Sequence, residues 1–131
     1  MPDLQLTLPA RAENVAVVRH ALGGLGDALG LDESVVSDVK LAVTEACTNV
    51  VLHAYPDGEG DLEVTADLST AGSIAIAVRD AGRGMVPRPD SPGLGLGLPL
   101  IASLTEQLEV GADSGAATEV RMVFLLPEGA G

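Results

Sequence analysis

Residues 41–55, LAVTEACTNVVLHAY, contain the side chains whose types and spacing are best suited to chemistry. In a helix, residues four apart stack on one face, so Glu45, Asn49 and His53 form a polar stripe on an otherwise apolar element. A half-buried carboxylate or carboxamide costs free energy unless a partner or ligand satisfies it. Glu45 is suited to take a proton from an attacking hydroxyl, and the Asn49 oxygen is a ligand that Mg²⁺ accepts. His53 either takes part in the same chemistry or ties down the loop that follows.

Two glycine-rich segments further along the chain suit a phosphate-bearing ligand. The run DAGRG at residues 80–84 follows a predicted strand, and GLGLG at residues 93–97 leads into a predicted helix. Glycine lets the backbone approach a ligand closely, and free N–H groups at a helix start attract phosphate. The Asp80 carboxylate can accept a hydrogen bond from an exocyclic amine such as that of adenine. Each signal alone is weak, since such runs are usually turns or connectors, and their order raises their specificity.

Hydrophobic periodicity predicts the elements that must position these residues. In chain order we expect a strand at 4–8 ended by Pro9, a helix at about 12–29 ended by Gly30, a helix from a cap at Asp32 or Ser34 to about residue 54, a hairpin of strands at 62–68 and 74–79, a helix carrying Leu98, Ile101, Leu104 and Leu108, and two last strands near 110 and at 119–126. Pro99 would lie in the first turn of the third helix, where proline is tolerated.

Composition limits the classes of protein to which the chain can belong. Its 131 residues predict one domain, residues 1–131. The net charge of −12 argues against nucleic acid as the main ligand, and it either favours a basic protein partner or only maintains solubility. The lone Cys47 argues against a disulfide framework. With no apolar run of membrane-spanning length and no signal peptide pattern, we expect a cytoplasmic protein without membrane partners.

Three motifs in order carry a resemblance to a known family. Residues 41–55 match the N-box pattern E-A-x-x-N-x-x-x-H-x-Y, residues 78–85 match the first glycine box, D-x-G-x-G, and residues 93–101 match the second in its G-x-G-x-G-L-x-L-I form. The chain thus resembles the GHKL (histidine-kinase-like) ATP-binding domains, and among them the anti-sigma-factor serine/threonine kinases of bacterial partner switches. The resemblance implies an α+β fold, a two-layer sandwich of the Bergerat type with helices on one face of a mostly antiparallel sheet.

The resemblance also implies a role for each matching residue. Glu45 would be the general base, Asn49 would bind Mg²⁺, and Asp80 would bind the adenine amine of ATP. The other implied contacts are the backing of the base by Gly82 and Gly84, the phosphate contacts of Gly93, Gly95 and Gly97, an adenine contact of Thr118, and a contact of Arg19 with the antagonist protein.

The function implied by the resemblance is that of an ATP-binding anti-sigma regulator. Such a protein phosphorylates a serine on an anti-anti-sigma antagonist, sequesters a sigma factor, and forms a homodimer through the helix-free face of its sheet. Residues 85–92 are a shorter, proline-rich connection than the lid of the sporulation-type kinases. That departure favours an alternative, a regulatory module that binds nucleotide, or has lost it, and acts on partners without catalysis.

Three other readings remain open from the residues alone. The catalytic domain of a sensor histidine kinase would have the glycine boxes, but this chain lacks the histidine-bearing partner domain. A hydrolytic ATPase of the chaperone or mismatch-repair type would use Glu45 to activate water, and it would need larger dimerising segments. In a small α/β protein without such a site, Glu45 and Asn49 would only cap or bridge within the core.

Overall fold

A computed structural model describes residues 2–55, 59–68, 71–82, 94–112 and 118–127, with only the backbone for residues 94–97 and 112. The elements are, in chain order, β1 Leu4–Pro9, α1 Ala12–Leu29, α2 Glu33–Asn49, a π-helical segment Val50–Ala54 (the π segment), β2 Asp61–Asp67, β3 Ser73–Asp80, α3 Leu94–Leu104, β4 Gln107–Ala112 and β5 Thr118–Leu125.

The five strands form one sheet in the order β1-β2-β3-β5-β4, and each neighbouring pair is antiparallel. Strand β3 lies at the centre, so its end is flanked by β2 on one side and β5 on the other. Residues alternate between the two faces, and those facing the helices are buried, as Leu62, Val64 and Ala66 show on β2. The expected α+β fold with an antiparallel sheet is confirmed.

Helix α2 lies at the centre of the helical layer, in contact with α1, α3, β3 and β5. Its inward face consists of small and β-branched residues that are almost inaccessible to solvent, including Ala42, Val43 and Ala46. Burial of this face against the sheet stabilises a helix whose own propensity is modest. No helix in the described part of the chain is long and apolar enough to cross a membrane.

The ends of the first two helices follow the sequence signals. Gly30 adopts the left-handed conformation, with φ of 67°, and ends α1 at the predicted residue. Of the two candidate caps for α2, Asp32 is the one used, since its carboxylate accepts the Ser34 N–H at 2.9 Å and the Ser34 hydroxyl at 2.7 Å. These hydrogen bonds lower the pKa of Asp32 from its usual value.

Two predictions about the third helix are wrong. Helix α3 begins at Leu94, not near Leu98, so Pro99 lies inside the helix and has no N–H to donate to the carbonyl four residues earlier. The helix ends at Leu104, and Leu108 belongs to β4, where it pairs with Met122. The helical spacing of Leu108 was coincidental, because pairing with β5 places the same side chain on the inward face of the sheet.

Candidate functional site

Asn49 is the last residue of α2 and one of the few buried polar side chains among the described residues, with 3% of its surface exposed. Its Nδ2 atom is fully buried and has no hydrogen-bond partner. Leaving a buried polar group unpaired costs about 1–3 kcal/mol, so such a group needs an explanation. Glu45 lies one turn earlier and is partly exposed, which keeps its carboxylate open to an incoming group. Glu45 therefore has the accessibility that proton transfer requires, whereas Asn49 is a buried polar group without a partner for its nitrogen.

The helix that carries Asn49 continues as the π segment, which contains His53. Its wider turn rotates His53 relative to the position expected in a continuous α-helix. The Nε2 atom of His53 is buried and also has no hydrogen-bond partner. Short π-helical insertions are frequent at functional sites, and this one follows Asn49 directly.

Asp80 ends the central strand β3 and is 4% exposed. Its Oδ1 atom accepts the Gly82 N–H at 2.9 Å, whereas its Oδ2 atom is buried without a partner. Burial raises the pKa of Asp80, and the Gly82 hydrogen bond opposes that rise. Thr118 lies directly opposite Asp80 on β5 and is 2% exposed. The predicted adenine contacts, Asp80 and Thr118, are thus neighbours on the inward face of the sheet.

The turn formed by residues 80–82, called here the Asp80 turn, packs against the end of the π segment. A Cβ atom added to Gly82 would overlap the backbone carbonyl of Ala54, so only glycine allows this approach. The adjacent N–H of Ala81 donates to the Tyr55 hydroxyl at 2.9 Å. The structure therefore joins the end of the helix bearing Asn49 to the turn bearing Asp80.

Tyr55 lies at this junction and is a position of the N-box pattern, but the sequence analysis predicts no contact for it. Its hydroxyl also donates to the carbonyl of Asp61 at 2.6 Å, so Tyr55, and not His53, ties down the chain after the helix. The available signal was a tyrosine between an apolar helix and the turn residues Pro-Asp-Gly, because a partly buried tyrosine needs a partner for its hydroxyl.

The predicted phosphate-binding glycines are only partly described. Gly95 is the second residue of α3, so its N–H group is one of those at the helix start that have no intrahelical acceptor, and Gly97 is the fourth residue, at the end of the same turn. Helix α3 as a whole contacts α2, the helix that bears Asn49. Gly84, Gly93 and the connection at residues 85–92 lie outside the described residues.

Arg19 is exposed on α1, beside a groove between α1 and the end of α2. The groove has a volume of about 280 Å³ and is lined by Ala12, Val15, Ala16, Arg19, Thr48, Val51 and Leu52. No residue of the Asp80 turn lines it. The structure thus separates the predicted partner contact from the predicted nucleotide contacts, although Thr48 directly precedes Asn49.

Comparison with known families and sequences gives consistent results. The family model described as a histidine kinase-like ATPase domain matches residues 8–124. A serine-protein kinase RsbW from Halalkalibacterium halodurans is 36% identical over 127 residues, an alignment that covers 86% of this chain and 77% of the relative. An RsbW from Bacillus cereus is 32% identical over 127 residues, covering 86% and 79% of the two chains.

Solved structures with the same fold include an RsbW domain and a histidine kinase domain. A crystal structure of the RsbU and RsbW domains of a Mycobacterium tuberculosis protein superposes with a TM-score of 0.77 at 25% identity, covering 96% of this chain and 33% of that one. The histidine kinase domain of the Escherichia coli osmosensor EnvZ has a TM-score of 0.53 at 20% identity, covering 97% and 91%. The second likeness concerns the fold alone.

Proposed function

The chain belongs to the histidine kinase-like ATPase domain family, and we propose that it is an anti-sigma serine kinase of the RsbW type. In this proposal it binds ATP and Mg²⁺, phosphorylates a serine on an anti-anti-sigma antagonist, and sequesters a sigma factor. The observation that carries the proposal is the pair of buried polar side chains, Asn49 and Asp80, each with an unpaired atom at the junction of α2 and β3. A nucleotide would satisfy both.

Asp80 is prepared to bind the base. The Gly82 N–H fixes one carboxylate oxygen and leaves Oδ2 to accept a hydrogen bond from the exocyclic amine of adenine. Thr118, opposite on β5, offers a hydroxyl at the same level of the sheet. A charged acceptor in a dry site forms a stronger hydrogen bond than it would in water, which favours adenine over bases without the amine.

Asn49 and Glu45 would act at the phosphate end. The two ends of a carboxamide are nearly the same size, so Asn49 can turn its oxygen toward a metal ion in place of the unpaired Nδ2. Mg²⁺, when bound, would neutralise the charge of the phosphate oxygens. The N–H group of Gly95 would face the phosphates at the start of α3, and Gly97 would lie along them without a side chain in the way.

Glu45 completes the proposed reaction as general base. Its carboxylate accepts the proton of the substrate serine hydroxyl while that oxygen bonds to the γ-phosphorus and the bond to the ADP oxygen breaks. Partial exposure of Glu45 allows a serine on another protein to reach it. Arg19, exposed on α1, would contact the antagonist that carries this serine.

The proposal includes a cytoplasmic location, because sigma factors act there, and a homodimer formed through the helix-free face of the sheet. Leu125 projects from that face and is 58% exposed. The face also carries the Arg79–Glu119 ion pair, with Nε and Oε2 3.5 Å apart. Sedimentation of the wild type and of Leu125→Glu tests the dimer, which the variant should weaken. An unchanged mass for the variant would contradict this interface.

Catalysis is tested by separating nucleotide binding from phosphoryl transfer. Glu45→Gln should bind Mg-ATP as tightly as the wild type in calorimetry, but transfer of label from radiolabelled ATP to the antagonist serine should fall about 10²–10⁴-fold. Asn49→Ala should lose the Mg²⁺-dependent part of ATP affinity. The matched control is Glu33→Gln, which alters an exposed carboxylate on the same helix and should change neither property.

Two results would contradict the assignment. Equal loss of binding in Glu45→Gln and Asn49→Ala would show that the two residues do not have separate roles. A wild-type protein that binds ATP, but transfers no label to the anti-anti-sigma proteins of its own genome, would favour a regulatory module without catalysis.

A further inference from the structure

We infer that Tyr55 is a positioning residue of the base end of the nucleotide site and determines how strongly the site prefers adenine. The inference rests on the ATP binding proposed above and concerns a residue to which that proposal gives no role. Both hydrogen bonds made by the Tyr55 hydroxyl are to backbone groups of this chain, so the hydroxyl is not free to bind the nucleotide itself. Tyr55 would instead act through Asp80, the neighbour of Ala81 in the Asp80 turn.

Tyr55 holds together three segments of the chain, which are the helix end, the start of β2 and the Asp80 turn. It directly follows the π segment, its hydroxyl donates to the carbonyl of Asp61 at 2.6 Å, and it accepts the N–H of Ala81 at 2.9 Å. Its ring packs so closely over Gly60 that a Cβ atom there would overlap the ring. Contact with Gly60 thus limits the position of the ring. The hydroxyl links Asp61, the first residue of β2, to Ala81, the residue after β3.

The hydrogen bond to Ala81 matters because that residue is the middle of the Asp80 turn. The Asp80 Oδ1 atom is bonded to the Gly82 N–H, two residues on, so the direction of the carboxylate depends on the peptide geometry between them. Tyr55 fixes the Ala81 N–H, and the Ala54 carbonyl limits the position of Gly82. Without the Tyr55 hydroxyl, the turn can rotate and Oδ2 loses a defined direction.

The orientation of the Asp80 carboxylate can be measured by comparing the affinities of two nucleotides. Adenosine triphosphate presents an exocyclic amine that donates to Asp80, whereas inosine triphosphate presents a carbonyl oxygen at the same place, which a carboxylate repels. Their triphosphates are identical, so contacts at the phosphate end cancel in the ratio of the two affinities. The ratio therefore reports the alignment of Asp80 and is insensitive to a general loss of affinity.

The experiment measures Mg-ATP and Mg-ITP affinities by calorimetry for the wild type and Tyr55→Phe, which keeps the ring and removes the hydroxyl. We expect the preference for ATP to fall about tenfold, mainly through weaker ATP binding, which is the scale of one hydrogen bond to a charged group. In an Asp80→Asn background the same change should leave the ratio nearly unaltered, because the two residues act in one chain of contacts.

The control is Ile74→Val, a conservative change to a buried residue six positions from Asp80 on the same strand, about 20 Å away. It should leave the ATP-to-ITP ratio at the wild-type value. Gly60→Ala displaces the tyrosine ring without removing the hydroxyl, so it should lower the ratio in the same direction as Tyr55→Phe.

Different results overturn different claims. If Tyr55→Phe weakens ATP and ITP binding by the same factor, or changes neither, Tyr55 does not position Asp80 and only this inference fails. If the wild type binds neither nucleotide, the proposed function fails and the role in base selection fails with it. Hydrogen exchange in the ligand-free wild type gives a further test that needs no variant, since an unprotected Ala81 amide would contradict the hydrogen bond to Tyr55.

Discussion

Replacing Asp80 by asparagine should make the ligand-free protein more stable while weakening its binding of ATP. Asp80 is 4% exposed, and one of its two carboxylate oxygens is buried without a partner. Asparagine keeps an oxygen to accept the Gly82 N–H and replaces the unpaired charged oxygen with a neutral amide group. An unsatisfied buried group costs about 1–3 kcal/mol, and more when it is charged.

The new amide nitrogen is also unpaired but uncharged, so only the difference between the two penalties is gained, and we expect Asp80→Asn to raise the free energy of unfolding by about 1 kcal/mol at pH 7, or about 3 °C in Tm for a domain of this size. The same substitution removes a charged acceptor for the adenine amine, so ATP affinity should fall about 10- to 100-fold. Urea unfolding at pH 7 and calorimetry with Mg-ATP measure the two effects on the same preparation.

The gain in stability should depend on pH in a defined direction. Burial raises the pKa of Asp80 above its ordinary value of 3.8, so the folded protein binds this proton more tightly than the unfolded chain. The penalty of the buried charge is therefore absent below about pH 3.8 and grows as pH rises to the folded-state pKa. Above that pKa the penalty is complete, and the advantage of Asp80→Asn should be largest there and shrink on acidification.

The control is Asp3→Asn, which alters an exposed carboxylate that accepts the Leu68 N–H at 2.8 Å. It should leave ATP affinity unchanged and should not stabilise the protein. The reasoning is refuted if Asp80→Asn destabilises the ligand-free protein at pH 7, because the carboxylate would then be satisfied within the fold. It is also refuted if the stability difference stays constant from pH 7 to pH 4.

The remaining predictions concern packing and accessibility. Gly82→Ala should lower stability by about 1–3 kcal/mol in urea unfolding and abolish ATP binding, because the new methyl group overlaps the Ala54 carbonyl; wild-type affinity would contradict this packing. Gly30→Ala should cost about 1 kcal/mol in thermal unfolding, because φ is 67° at that helix end, while ATP affinity stays unchanged. Burial raises the pKa of the Cys47 thiol to about 12, so a thiol reagent at pH 8 should label it only after unfolding; rapid labelling of the native protein would refute this.

Most of the fold could be predicted because its signals are local. The bounds of α1 follow from helical spacing and from Gly30. The β2–β3 hairpin follows from the alternation of apolar and polar residues along β2 and of larger apolar residues with alanine along β3. The start of α3 could not be predicted, since its glycines disfavour a helix and contact with α2 outweighs that propensity. The π segment was also missed, because a one-turn change in hydrogen bonding leaves the apolar pattern almost intact.

The residues of the candidate site could also be predicted from local signals, whereas the contacts between them could not. Asp80 and Asn49 were predicted from residue type and motif order, and the structure adds that both are buried with unpaired atoms. The opposition of Asp80 and Thr118 depends on pairing between β3 and β5, which are more than thirty residues apart and have no local signal. The hydrogen bonds of Tyr55 could not be predicted, because its partners are backbone groups and the sequence of side chains does not indicate which backbone groups lie nearby.

The position of Tyr55 has a practical consequence for watching this molecule at work. The chain has a single tyrosine and no tryptophan, so its native ultraviolet emission comes from one phenol. That phenol is bonded to the Ala81 amide and the Asp61 carbonyl, between the helix end and the central strand. Any rearrangement of this junction changes the surroundings of the Tyr55 ring and therefore its fluorescence. The unlabelled protein thus carries an intrinsic optical probe next to the proposed purine site.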